Sequence, residues 1–294
     1  MAQSSSKQRA EAEVLDLKGK LRQLNKVVAS KGATIAENAP LVATIKAVEG
    51  LKAGSEEGVL TVPSSSYFTG WRSNNLPTLK LGDNIGESLD RFLAGNDLLS
   101  TLPEIKGLEN VADMDSFCAY CSSLYSANLP ALPKLNNFGS GFKDCSSLQS
   151  VVIGETPHLR YAGNLFSGCS ALDTVTLDFS GGELSDLGEI FSGCGNLRTV
   201  AGTIDLTSID YTQNRPFEGC HALEEVRIKG LNADLSLQDS EKLSVESVKY
   251  LVENLQQATG KSITLHQAWQ TAHPNEAVEY SQKAAAKGFT LNFI

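Results

Sequence analysis

Phe142-Lys-Asp-Cys145-Ser-Ser-Leu148 returns as Phe166-Ser-Gly-Cys169-Ser-Ala-Leu172, then as Phe191-Ser-Gly-Cys194-Gly-Asn-Leu197 and Phe217-Glu-Gly-Cys220-His-Ala-Leu223. Two looser copies precede these: Phe117 to Cys121 to Leu124, with one extra residue, and Phe92 to Leu98, with Gly95 in the Cys place. The leucines at 98, 124, 148, 172, 197 and 223 step by 26, 24, 24, 25 and 26 residues. A fixed period in this range predicts a solenoid, in which each coil buries its apolar face only against its neighbours.

After each Leu comes a short run of period two: Val151 and Ile153, Val175 and Leu177, Val226 and Ile228, and more weakly Ala127 and Leu129. Alternation places these inward and their neighbours outward. One strand per coil, stacked in parallel, is the leucine-rich-repeat pattern. The recurring Phe is expected to plug each coil and to stack into a ladder. Five of the six cysteines recur once per repeat, so they are expected to share one buried site as free thiols. Cys118-Ala-Tyr-Cys121 has C-x-x-C spacing, but it lacks both a redox context and the second pair that zinc needs.

The string Phe-x-x-Cys-x-x-Leu-x-x-Val-x-Ile resembles the BspA-like leucine-rich repeat over residues 75–237. That family is common in bacterial surface proteins, in some protist surface proteins, and in bacteriophage and prophage tail proteins. Most copies lack the family's usual proline after the strand, Pro130 being the exception.

Residues 8–30 carry Ala10, Val14, Leu17, Leu21, Leu24 and Val28 at gaps of 4, 3, 4, 3 and 4, a heptad seam. Val14, Leu17, Leu21, Leu24 and Val28 are the expected oligomerisation seam of a parallel dimer or trimer; packing on the chain itself is the alternative. Ser30-Lys31-Gly32 breaks this helix, and a second short helix is expected over 39–49. The string from Lys31 to Val48 resembles a short N-terminal module of phage tail and fibre proteins. The expected organisation is N-terminal helices over 1–50, a Gly-rich linker over 51–58, the solenoid over 59–237 and an α/β cap over 238–294. Within 59–90, Trp71 is read as core of an opposite cap.

In the cap, Ser244 is expected to start a helix that Gly260 ends, followed by a strand at 262–265, a helix over 275–287 with Gly288 at C′, and a strand at 289–293. The two strands should extend the solenoid sheet in parallel while the helices cover its end. The strings Leu243 to Val252, Ile263 to Leu265 and Ala286 to Leu291 resemble the C-terminal cap of prophage repeat proteins.

Composition narrows the function. The chain has 294 residues and a net charge of −9, with no basic stripe, which argues against nucleic acid. No run of 18 apolar residues suggests membrane insertion. The residues from Met1 lack an apolar h-region, so a secretory leader is not expected there. His158, His221, His266 and His273 show no metal-ligand spacing, and no nucleophile or phosphate-loop motif occurs. Neither cofactor nor enzymatic activity is expected. The candidate binding face is the outward row Asn128, Val152, Thr176, Ala201 and Arg227, small and mostly polar, which also suits a plain solvated surface. The leading expectation is a phage virion protein, a tail fibre or baseplate-associated appendage assembled in the host cytoplasm. Its partners would be its own copies, other virion proteins and a host-surface glycan or protein. The alternatives are a BspA-like adhesin of the bacterial cell surface and an intracellular scaffold.

Overall fold

A computed structural model describes residues 59–62, 78–82, 86–179, 181, 183–209 and 215–294. The seam residues Val14 to Val28, the helix at 39–49 and Trp71 lie outside these. The chain divides into two units, Met1–Thr61 and Val62–Ile294. Of the first, only the opening residues of strand β1 (Val59–Val62) are described. In the second, Gly82 N donates to Val62 O at 2.9 Å, and β2 (Thr78–Leu81) pairs in parallel with β3 (Ile105–Lys106).

The central sheet is β4 (Ser126–Leu129), β5 (Ser150–Ile153), β6 (Thr174–Thr176) and β7 (Thr199–Ala201), all parallel and in sequence order. A second parallel pair, β8 (Ile204–Asp205) and β9 (Ile228–Lys229), follows. The inward residues Ala127, Val151, Val175 and Val200 are buried, as their alternation predicts.

The coils superpose through bonds that repeat from one to the next. Phe142 N donates to Leu165 O, Phe166 N to Ile190 O and Phe191 N to Pro216 O, and the same register holds for Cys118 N to Gly141 O and Leu93 N to Phe117 O. One column of the core therefore reads Leu93, Cys118, Phe142, Phe166, Phe191, Phe217. The column just before it reads Phe92, Phe117, Gly141, Leu165, Ile190, Pro216. This corrects the reading of the early copies. Nothing is inserted between Phe117 and Cys121: Cys118 holds the Phe position, and Phe117 fills the neighbouring column. Likewise Asn96, not Gly95, holds the first Cys place, since Asn96 N bonds Leu93 O as Cys121 N bonds Cys118 O. The repeat leucine of that coil is Leu99, wholly buried, whereas Leu98 is 53% exposed.

The aromatic ladder is present. Phe142 and Phe166 stack at 5.8 Å, Phe166 and Phe191 at 5.5 Å, and Phe191 and Phe217 at 5.6 Å. Each ring is buried and contributes roughly 1.5–3 kcal/mol by leaving water. Phe92 and Phe117 stack at 6.1 Å in the adjacent column, and Phe138 links the two columns, 6.5 Å from Phe117 and 5.5 Å from Phe142.

All six cysteines are free and buried. The thiols also bond. Cys121 Sγ donates to Leu93 O, Cys145 to Cys118 O, Cys169 to Phe142 O, Cys194 to Phe166 O and Cys220 to Phe191 O, at 3.0–3.2 Å. Each ties its coil to the one before, a role that small-hydrophobe reasoning does not supply. The same turn recurs once more at Leu237, Ser240 and Leu243. Ser240 N bonds Leu237 O, Leu243 N bonds Ser240 O, and Ser240 Oγ donates to Cys220 O.

Each coil bends through two left-handed residues. One set is Arg91, Ser116, Ser140, Asn164, Glu189 and Arg215; the other is Gly95, Tyr120, Asp144, Gly168, Gly193 and Gly219. The Gly of Phe-Ser-Gly-Cys is there because that residue needs positive φ, which glycine reaches without a Cβ clash.

In the cap, β10 (Leu235–Leu237), β11 (Lys261–Leu265) and β12 (Phe289–Phe293) form a parallel sheet in that order. Helix α1 (Val245–Glu253) has Ser244 as N-cap, accepting from Ser247 N. It ends at Asn254, so Gly260 does not stop it but leads into β11. A short helix α2 (Gln267–Ala272), not expected, precedes α3 (Pro274–Ala286), and Gly288 at φ 85° follows α3 as the C′ residue. Trp269 of α2 is buried against Phe293 and Tyr280. No helix among the described residues is long and apolar enough to cross a membrane.

Candidate binding face

Strict register aligns the outward side chains in rows. Ser126, Ser150 and Thr174 face one another in sequence, Thr199 follows Thr174, and bridges extend this row to Thr101 at one end and Glu225 at the other. The second row is Asn128, Val152, Thr176 and Ala201. All four residues of the second row are exposed. Val152 is its one large apolar side chain, 43% exposed. The row is short-chained and uncharged, so it offers low desolvation cost and a flat approach.

Arg227 does not continue this row, contrary to the expectation from spacing. Val200 N donates to Glu225 O, but the next cross-strand bond runs from Ile204 N to Arg227 O. Arg227 therefore faces Thr203, so Val200, Ala201 and Gly202 oppose the single residue Val226, and the strand bulges. Gly202 makes the bulge possible: its φ is +105°, and its backbone lies so close under the Leu177 carbonyl that a Cβ would overlap Leu177 O. Beyond the bulge, Arg227 sits over the Tyr250 ring at 5.8 Å. It lines an open groove of roughly 480 Å³ with Glu225, Glu246, Lys249 and Glu253. Charges of both signs meet there, and Lys249 Nζ lies 3.6 Å from Glu246 Oε1.

A column at the strand entries borders the rows. Backbone bonds run from Gln149 N to Tyr125 O, Asp173 N to Gln149 O, Arg198 N to Asp173 O, and Glu224 N to Arg198 O. Arg198 grips Asp173 through Nε and Nη2, the latter at 2.8 Å, and this holds the Asp173 carboxyl below its usual range. Tyr125 in this column is 54% exposed. Sequence reasoning passed over Tyr125 and the Arg198–Asp173 pair because they precede the alternating run that marks each strand. The column shows only once the coils are stacked.

A polar anchor lies under the β8–β9 pair. Burial by itself raises the Asp205 carboxyl, but hydrogen bonds from Thr207 and Lys229 outweigh it and hold the group below its usual range. Lys229 Nζ lies 2.9 Å from Asp205 Oδ2.

The histidines are dispersed. His158 pairs with Glu183 at 3.0 Å, His221 is exposed, His266 Nδ1 caps α2 by accepting from Ala268 N, and His273 lies against Trp269. Among the described residues, no group of three or more His, Cys, Asp or Glu side chains could hold a metal ion.

Register, thiol ladder and one strand per coil define a leucine-rich-repeat solenoid. Two overlapping stretches, residues 96–186 and 141–238, match the family model described as BspA type leucine-rich repeat region (6 copies). Residues 96–238 are therefore a BspA-type leucine-rich-repeat region, a repeat class that is typically non-enzymatic. No curated protein matches the chain.

Proposed function

We propose that this chain is a non-enzymatic binding protein whose repeat region attaches to a macromolecular surface, as an adhesin of the bacterial cell-surface kind. The observation that carries this reading is the BspA-type region together with the uncharged row Asn128, Val152, Thr176 and Ala201 along its sheet. A stacked parallel sheet gives a broad, pre-organised platform, so a partner loses little freedom by ordering it. The partner is a host-surface protein or glycan, read by hydrogen bonds to Asn128 and Thr176 and by apolar contact at Val152. Tyr125 at the border adds an aromatic surface of the type enriched at interfaces.

A second reading is a phage virion appendage, a tail fibre or baseplate-associated protein. The heptad spacing of Val14, Leu17, Leu21, Leu24 and Val28 favours it, because a parallel oligomer would multiply weak contacts of the repeat face. Other virion proteins would then be partners as well.

Retention of the purified full chain on intact cells and on arrays of matrix proteins and glycans tests the first reading. Binding lost on Val152→Arg supports it, and absence of any binding overturns it. Mass spectrometry of purified phage particles separates the two readings: the chain among the virion proteins favours the second.

A further inference from the structure

Among the described residues the cap sheet ends on β12. Ile294 N donates to Leu265 O at 3.1 Å, Gln267 N to Ile294 O at 2.8 Å and Lys261 N to Gly288 O at 3.3 Å. Along a parallel strand the residues whose peptide groups face a given neighbour alternate. Thr290 and Asn292 therefore bond β11 like Gly288 and Ile294, and the N–H and C=O groups of Phe289, Leu291 and Phe293 point to the other edge. Among the described residues no strand pairs with that edge. Proteins normally protect such an edge with charge, proline or a bulge. Phe-Thr-Leu-Asn-Phe has none of these, and it is as long as any strand described.

The strand is also complementary to itself. Turned about a two-fold axis at Leu291, Phe289 meets Phe293 of the second copy and Thr290 meets Asn292. The apolar residues fall on one face, against the helices, and the two polar residues fall on the exposed one. Leu291 becomes a hydrogen-bonded pair with its own copy, and the outward peptide groups of all three odd residues find partners. We propose that β12 pairs antiparallel with β12 of a second copy of this chain, joining the two cap sheets into one continuous sheet. Such an isologous contact closes on itself and covers the β12 edge of both copies.

The test uses the full chain carrying both Thr290→Cys and Asn292→Cys. In the proposed pairing these positions form a non-hydrogen-bonded pair, whose Cα atoms lie about 4.5 Å apart, within disulfide reach. Both are exposed, so their replacement leaves the core intact, and the six native thiols are buried and do not compete. Mild oxidation followed by a non-reducing gel should give a covalent dimer as the main species, at least tenfold more than either single variant gives. In light scattering, Thr290→Lys should weaken the association carried by this edge at least tenfold. A double variant that unfolds like the wild type yet stays monomeric on oxidation, or links no better than the single variants, overturns the proposal. So would a strand from another protein found on this edge.

Discussion

Phe138 fills the space that a side chain at Gly141 would need. A Cβ on Gly141 would overlap the Phe138 ring. In the next coil the equivalent pair is Ala162 and Leu165, both buried, so the large and small members have exchanged places. Gly141→Ala should destabilise the chain by about 1–3 kcal/mol, as overpacking in a rigid core does. Phe138→Ala should cost about 3–5 kcal/mol through the cavity it leaves. The double change Phe138→Ala with Gly141→Leu copies the next coil and should recover most of the loss. Urea unfolding of the four variants measures this coupling.

The buried thiols make a second prediction. Burial pushes Cys169 and Cys220 up to about 12 from an ordinary 9.0. In the native protein none of the six should react with an aromatic disulfide reagent at pH 8, and all six should react in denaturant. Above pH 9 the unfolded chain releases protons that the folded chain keeps. Stability should then fall by about 1.4 kcal/mol per pH unit for each such thiol, continuing toward pH 12. Chemical denaturation across this range, compared with Cys169→Ala, checks the slope. The Cys169→Ala variant should also lose about 1–2 kcal/mol at neutral pH, through its bond to Phe142 O and its packing.

Gly202 sets where the binding row ends. With a Cβ blocked by Leu177 O, Gly202→Ala must shift the bulge or break the β6–β7 edge. A loss of about 2–4 kcal/mol is expected, because backbone rather than a flexible side chain stands in the way. Thermal unfolding provides the measurement, and hydrogen exchange should localise the loosening to residues near 177 and 201–204.

Asp205 supplies the acid-side prediction. Its carboxyl is held below the usual range, so its contribution is present above the ordinary value of 3.8 and is lost as pH falls through the lowered one. Asp205→Asn should flatten stability against pH below about 4. At neutral pH it should cost about 1–3 kcal/mol, by leaving Lys229 and the Thr207 N–H short of a charged acceptor. Acid titration of both proteins by circular dichroism separates them.

Much of the solenoid was legible from the residues. The period, the inward alternation and the stacked phenylalanines follow from spacing, because each coil repeats one local solution. The exchange of columns at Phe117 and Phe138 was not legible, since a Phe displaced by one residue looks like an insertion until cross-coil bonds fix the register. Only the same register tells the buried Leu99 from its exposed neighbour Leu98. In the candidate face, Asn128 through Ala201 align as spacing predicts. Arg227 does not, because a three-residue bulge leaves no mark in the sequence beyond a single Gly202. The short α2 escaped notice because its one buried residue, Trp269, gives no periodic signal.

The repeat face as attachment surface is tested most directly by one comparison. Wild-type chain, Val152→Arg and a control substitution away from the face, Glu279→Arg on α3, are applied to the same intact cells and glycan and matrix-protein arrays. The account predicts a bound target whose affinity drops at least tenfold with Val152→Arg and is unchanged by the control, in line with the loss of a central contact in a desolvated patch. Equal binding by all three proteins would contradict it.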